Sequence, residues 1–283
     1  MAKFSKQLHS TTLFFRVASI VLISFLLVSL SISTITINIS KNTLVDTFSK
    51  SNYKVLTQIS NNLIDFNDKI ISIMDAIDNI PDYERYFTEK ELSPQANYKT
   101  LYNMVTNLDK MIPQKDFDDI TVLAVGINGN SYIYKNGDRL IPTTEELLNN
   151  DITKNALKNK NMVYYQYLSN GITKFSKYSS CLVTIKVLCN KLTKEPYGFV
   201  YVVIKQSTLN KYYDYFVGNG NSIAIIAPDG TVVSSNIPLM IGVKNKPLYD
   251  ISENILNNNL NYLNTRLENS DVTILAKHLP TYN

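Results

Sequence analysis

Between Val17 and Ile37 the chain reads VASIVLISFLLVSLSISTITI, without one charged side chain. About 21 such residues, each rising about 1.5 Å in a helix, cross a hydrocarbon core of roughly 30 Å. Lys3, Lys6 and Arg16 precede the run, and the positive-inside bias places residues 1–16 in the cytoplasm and everything after Ile37 outside. The alternative is a cleaved signal peptide. Its apolar region is shorter than this one and ends at an Ala-x-Ala site, which does not follow here, so the expectation is an uncleaved membrane anchor over 17–37. No later stretch reaches 18 apolar residues, so the rest reads as one tethered extracytoplasmic portion.

That portion has the composition of a folded protein. The 283 residues are 45% hydrophobic, enough for one large or two small cores. The net charge of +4 is spread over Lys- and Asn-rich stretches instead of one basic block, which speaks against nucleic acid as a partner. Both cysteines, Cys181 and Cys189, fall in CLVTIKVLC. If that run is one strand they stand roughly 26 Å apart and cannot bond to each other. They read as two small buried hydrophobes, the alternative being a disulfide across a hairpin.

After the anchor, Leu56, Ile59, Leu63, Phe66, Ile70, Ile73 and Ile77 alternate spacings of three and four, a narrow stripe along one helix. Ile64, Ile71 and Met74 form a second line beside it. The expectation is that one line packs on the chain's own domain and the other on a second copy, making this the dimer and signalling helix of a homodimer. Pro81 ends the run. A second helix is expected from Pro94 to Ile112, its stripe Tyr98, Leu101, Val105, Leu108 and Ile112, closed by Pro113. Together these make residues 38–112 a helical stalk.

The period then changes to two. ITVLAVGINGNSYIY gives strand, turn and strand, with a further turn at Asn136-Gly137; TEELLNNDITKNALKNK reads as helical; MVYYQYL, CLVTIKVL and YGFVYVVI read as strands; QSTLNKYYDYFV reads as a short linking helix. Residues 113–217 thus form an α+β unit around an antiparallel sheet of about five strands. In residues 218–283 the pattern begins again with IAIIAPDGTVVSSN. Asp229-Gly230 between β-branched residues is a hairpin signal. A phosphate cradle would need several glycines opening a helix, and none is present.

An apolar strand, Asp-Gly, a short strand, then SSNIPLMIGVKN with its Ile241-Gly242 pair resembles the membrane-proximal half of a double Cache domain. The long helix leaving the membrane, the preceding sheet, the segment GFVYVVIKQSTLNKYY and the closing VTILAKHLP follow that family's order over roughly Ser40 to Pro280. The resemblance implies an α+β fold of two stacked PAS-like antiparallel sheets, 113–217 distal and 218–283 proximal to the membrane. It also implies a small-molecule ligand on the distal sheet and a signal carried down helices. Members that bind amino acids carry Arg-x-Trp-Tyr entering the distal helix, where this chain has NNDITKNAL. They also carry an Asp at the position that falls on Val203. Both departures argue against an amino-acid ligand, and the chain more closely resembles the Cache sensors of two-component histidine kinases, several of which govern carbohydrate use.

Tyr132, Tyr134, Tyr165 and Tyr167 on the expected strands, with Lys174 and Asp138 as polar additions, are the candidate ligand contacts of the distal sheet. Tyrosine joins an apolar ring to a polar tip and suits stacking on a sugar or another flat solute. Alternation sends Tyr165 and Tyr167 to one face and Tyr164 to the other. No catalytic role is expected. His9 and His278 are the only histidines, so neither a Ser-His-Asp arrangement nor a His-based metal cluster is available. The acids Asp116, Asp118, Asp119, Glu145 and Glu146 sit where turns and helix starts place solvated carboxylates. No metal or cofactor is expected. The expectation is the ligand-sensing part of a signalling receptor, most readily a sensor histidine kinase whose output domains are not in these residues. The alternative is a stand-alone membrane-anchored binding or interaction protein.

Overall fold

The structure, a computed structural model, describes residues 2–89, 91–112, 120–134, 137–218, 220–267 and 270–279. Pro113, Asp116, Asp118, Asp119 and Asn136 lie outside the described residues. The chain divides into two compact units, Met1–Lys54 and Val55–Asn283.

Helix α1 spans Ala2–Asn79. In the first unit its apolar window has a mean hydropathy of 2.5 and is 0% buried, so this helix is long and apolar enough to cross a membrane. The hydroxyls of Ser31 and Thr34 donate to the carbonyls of Leu27 and Leu30, each at 2.8 Å. These bonds satisfy polar side chains on an otherwise apolar surface without water.

The second unit is organised by β1 (Ile120–Gly126), β2 (Ser131–Tyr134), β3 (Tyr164–Leu168), β4 (Cys181–Cys189) and β5 (Pro196–Lys205). They form one antiparallel sheet in the order β2-β1-β5-β4-β3. The central strand β5 is rich in Val, Ile and aromatic residues, as a strand covered on both faces requires. The cysteines stand at opposite ends of β4, and both are free.

Alternation gives this sheet two faces. One carries Val122, Ala124, Val200, Val202 and Ile204 and packs on the second-unit part of α1 together with α2 (Pro81–Thr88) and α3 (Pro94–Met111). The other carries Leu123, Val125, Val183, Ile185, Phe199, Tyr201 and Val203 and packs under α4 (Thr144–Leu148) and α5 (Asp151–Lys158). Pro81 ends α1 as expected but also opens α2, because the first helical position needs no backbone N–H. The single helix expected over TEELLNNDITKNALKNK is two. Thr143 and Glu146 form a capping box at the start of α4, and the Asn150 side chain accepts from Ile152 N at 3.2 Å to start α5.

The stripe on α1 faces its own sheet. Ile59, Leu63, Phe66, Ile70, Ile73 and Ile77 are buried in the helical-face core, Ile70 and Ile77 at 0% exposure, and Leu56 is half-buried. Of the two lines expected on this helix, this is the one that packs on the chain's own sheet. Met74, from the second line, is also fully buried. Lys186 on β4 pairs with Asp75 at 2.6 Å and Asp78 at 3.0 Å, which fixes the helix along the sheet. The stripe expected on α3 holds in part: Leu108 and Ile112 are buried and Leu101 packs against the core, while Tyr98 is 74% exposed, Val105 is exposed, and Thr100 and Met104 face inward in their place.

Beyond β5 come the short helix α6 (Gln206–Asn210) and a smaller second subdomain. It holds two separate hairpins, β6 (Ala224–Ile226) with β7 (Val232–Ser235) and β8 (Leu263–Leu267) with β9 (Ser270–Ile274), joined by α7 (Lys246–Asn257). The architecture is therefore α+β with antiparallel sheets, as expected. Its first sheet is complete, and its second consists of two hairpins.

Candidate functional site

Asp229-Gly230 is a turn and nothing more. Ala227 N donates to Thr231 O at 2.8 Å, Gly230 N donates to Ala227 O at 2.9 Å, and Gly230 has φ +82°, which glycine adopts without penalty. The Asp229 carboxylate accepts from Thr231 N at 3.1 Å and pairs with Lys244 at 3.1 Å. Its side chain is thereby committed to holding the turn and the Thr231–Lys244 bridge.

The four candidate tyrosines lie together on one face of the first sheet, but it is the face covered by α1, α2 and α3. Tyr132 stacks edge-on against buried Tyr83, with ring centroids 6.1 Å apart. Burial, with Asp109 nearby, pushes its phenol up to about 12. The Tyr134 hydroxyl donates to Asp109 Oδ1 at 2.6 Å, and Tyr165 Oη accepts from Asn67 Nδ2 at 3.0 Å. Tyr167 lies against Gly242 and bonds Ser180 Oγ at 3.2 Å. Lys174 is exposed, and its backbone N–H donates to Arg139 O at 2.9 Å. Tyr132, Tyr134 and Tyr165 therefore join helices to the sheet, and Tyr167 joins the sheet to the second subdomain. Alternation separated Tyr164 from Tyr165 and Tyr167 correctly. It could not say which face the stalk would cover.

The opposite face is where polar groups converge under a short cap. The Thr153 hydroxyl donates to Leu147 O at 2.7 Å. Thr153 has one proton to give, so the Tyr201 hydroxyl, 2.8 Å away, donates to Thr153 Oγ1. This relay bolts α4 and α5 to the central strand. Burial raises the Tyr201 phenol well above its ordinary value and keeps it a neutral donor. On edge strand β3, Tyr164 Oη accepts from Asn155 Nδ2 on α5 at 3.4 Å, and Gln166 Oε1 is buried with no protein partner. A buried amide oxygen without a partner costs about 1–3 kcal/mol. Among the described residues it is the one buried side-chain acceptor on this face without a partner. At the far side, Thr121 Oγ1 donates to Asp138 Oδ2 at 3.0 Å, and Asp138 Oδ1 accepts from the backbone of Phe175, tying down the β3–β4 loop. Among the described residues, no charged side chain is buried on this face.

Tyr164, Gln166, Thr153 and Tyr201 form the candidate site. Sequence reasoning set Tyr164 on the opposite face from the candidate contacts without assigning it a role, and missed the other three. The available signal was phase: odd positions in β4 and β5 and even positions in β3 share a face with the helices that follow β2, while the stalk helices precede β1.

No protein-family profile matches the chain, and no curated protein does. Solved structures match over most of its length. The ligand-binding domain of the Campylobacter jejuni chemoreceptor Tlp3 in complex with L-valine is 14% identical, covers 82% of this chain and 88% of its own, and superposes with a TM-score of 0.54. The sensory domain of the same receptor matches at 13% identity over 82% of this chain and 89% of its own, with a TM-score of 0.53. The Pseudomonas fluorescens chemoreceptor CtaA with L-isoleucine matches at 12% identity over 80% and 84%, with a TM-score of 0.50. This is the double Cache fold. Within it, Val203, where the amino-acid-binding pattern has an aspartate, lies buried beside Tyr201 on the capped face of the first Cache sheet. The position that would offer a carboxylate to an ammonium group is apolar here.

Proposed function

We propose that the chain is the extracytoplasmic ligand-sensing part of a membrane-anchored signalling receptor, with residues 1–16 cytoplasmic. The observation that carries this reading is the capped face: a helical cap held to the central strand by a short relay of neutral hydroxyls, beside an amide with an open acceptor. The similar chemoreceptor domains hold amino acids, which supports a small-molecule ligand. Neutral hydroxyl and amide groups, with Val203 in place of a carboxylate, favour an uncharged polyhydroxylated solute over a zwitterion. Such a solute would compete with Thr153 for the Tyr201 hydroxyl and would offer Gln166 a donor. Moving α5 then moves the sheet that α1 grips from the other side. The role is binding without catalysis. Self-association, if it accompanies signalling, falls to faces of α1 outside the buried stripe. The output we propose is a histidine kinase, on the resemblance of the sequence to the Cache sensors of two-component kinases; the similar solved domains belong to chemoreceptors, so a chemotaxis module is the competing output.

The test is a thermal-shift and calorimetric screen of the detergent-solubilised chain against neutral sugars and amino acids. Saturable binding of a neutral sugar, weakened tenfold or more by Gln166→Leu, is the expected outcome. An amino acid that binds, with Gln166→Leu without effect, would overturn the ligand class. Absence of binding by either class would overturn the sensing role.

A further inference from the structure

At the β2 edge of the first sheet, α2, β2 and α3 bring three tyrosines and one carboxylate together. β2 is an edge strand, and Tyr132 and Tyr134, two positions apart, share the face that α2 and α3 cover. Tyr83 on α2 stands edge-on to Tyr132, and Asp109 near the end of α3 accepts the Tyr134 hydroxyl on Oδ1. Exposure rises in steps across the group: Tyr83 is fully buried, Tyr132 and Tyr134 are half-buried, and Asp109 is exposed. The group thus opens to water at its carboxylate. It lies across the sheet from Gln166, Thr153 and Tyr201.

The Tyr83 hydroxyl is buried, and no protein atom bonds it. A phenol in that position calls for a partner. Burial raises the Tyr83 phenol above its ordinary value, and Tyr132 and Tyr134 raise it further; burial raises Tyr134, and its bond to Asp109 adds to this. Tyr132 is raised by burial and then by Asp109. No lysine or arginine lowers any of the three, and among the described residues none pairs with Asp109. Unneutralised negative potential beside aromatic rings suits an organic cation. A metal ion fits poorly, because it needs several anionic or imidazole donors where this group has one carboxylate, and no cluster of three such side chains able to hold a metal occurs among the described residues.

We infer that Tyr83, Tyr132, Tyr134 and Asp109 form a second binding site, for a protonated alkylamine. Its N–H groups are donors for Asp109 Oδ2, which Tyr134 leaves open, and for the Tyr83 oxygen. The charge on the carbons beside the nitrogen is met by the phenol rings. This chemistry differs from that of the capped face, whose neutral hydroxyl and amide groups offer a cation no counter-charge. α2 begins at Pro81, directly after α1 ends at Asn79, so a guest held among α2, β2 and α3 bears on the end of the long helix.

The experiment is calorimetric titration of the detergent-solubilised chain at neutral pH with n-butylamine, benzylamine and n-butanol. The expected result is saturable binding of an amine, no binding of n-butanol, and affinity for the amine lowered about tenfold or more by Asp109→Asn but unchanged by Gln166→Leu. Asparagine still accepts from Tyr134, so the thermal midpoint of Asp109→Asn should match that of the parent chain. Tyr83→Phe removes the buried hydroxyl alone and should weaken the amine without lowering the midpoint. Equal affinity for the amine in Asp109→Asn, or equal affinity for n-butanol, overturns the inference. Loss of amine binding in Gln166→Leu would place the guest on the capped face and overturns it too, as does absence of amine binding up to about 10 mM.

Discussion

The two subdomains open with the same turn and part company at β5, which joins the strands of the first into one sheet. The first has a central strand with both faces covered, one by the stalk helices and one by α4 and α5, and nearly the whole apolar core surrounds it. The second has the same hairpin and a following helix, but among the described residues its strands pair only two by two. The difference teaches that a shared local motif specifies a hairpin, while a subdomain's stability comes from the strand that unites two of them.

The sharpest way to break this comparison is to damage the first core. Ile70→Ala removes a fully buried side chain between α1 and the sheet and should cost about 2–5 kcal/mol in urea denaturation. A loss below about 1 kcal/mol would show that the first subdomain is no better packed than the second. Gly242→Ala tests the seam between subdomains. The residue has φ +79°, and an added Cβ would sit 2.6 Å from the Tyr167 hydroxyl. The strained backbone and the overlap should together cost about 2–4 kcal/mol. Tyr167→Ala should restore part of that loss, and no restoration would mean that the two residues do not meet.

Alkaline pH should also separate the halves. The Tyr132 phenol is held protonated to about 12, above its ordinary value of 10.0, so its stabilising contribution is complete below pH 10 and disappears as the pH rises through about 12. Denaturation midpoints followed from pH 9 to pH 12 should therefore fall, and Tyr132→Phe should flatten the decline. The smallest effect is expected in the second subdomain. Val272→Ala on half-buried β9 should change stability by no more than about 0.5 kcal/mol in the 283-residue chain. A larger cost would mean that β9 is already covered.

Much of the first sheet was legible because its strands alternate or run apolar between clear turns, and β4 and β5 fall where CLVTIKVL and YGFVYVVI place them. The stripe on α1 was legible as a buried line but not in its partner, since spacing does not distinguish a sheet from a second helix. The α3 stripe was read correctly at Leu108 and Ile112 and wrongly at Tyr98 and Val105, which look apolar but lie exposed, while the inward position beside Met104 is taken by Thr100. The site was the least legible. Tyr132, Tyr134, Tyr165 and Tyr167 share a face, yet chain order decides which layer covers it. Gln166, Thr153 and Tyr201 acquire meaning only when α5 is laid over β3 and β5.

The place of β5 in the first sheet also bears on how fast the protein folds. Its pairing with β4 closes a short hairpin, but its pairing with β1 joins Val125 to Phe199 across roughly 75 intervening residues. Hairpins form in microseconds, and long-range sheet closure is far slower, so the β1–β5 register is the expected rate-limiting contact. Until it forms, the apolar edges of β1 and β5 stand open together, and in that interval the chain is most exposed to aggregation.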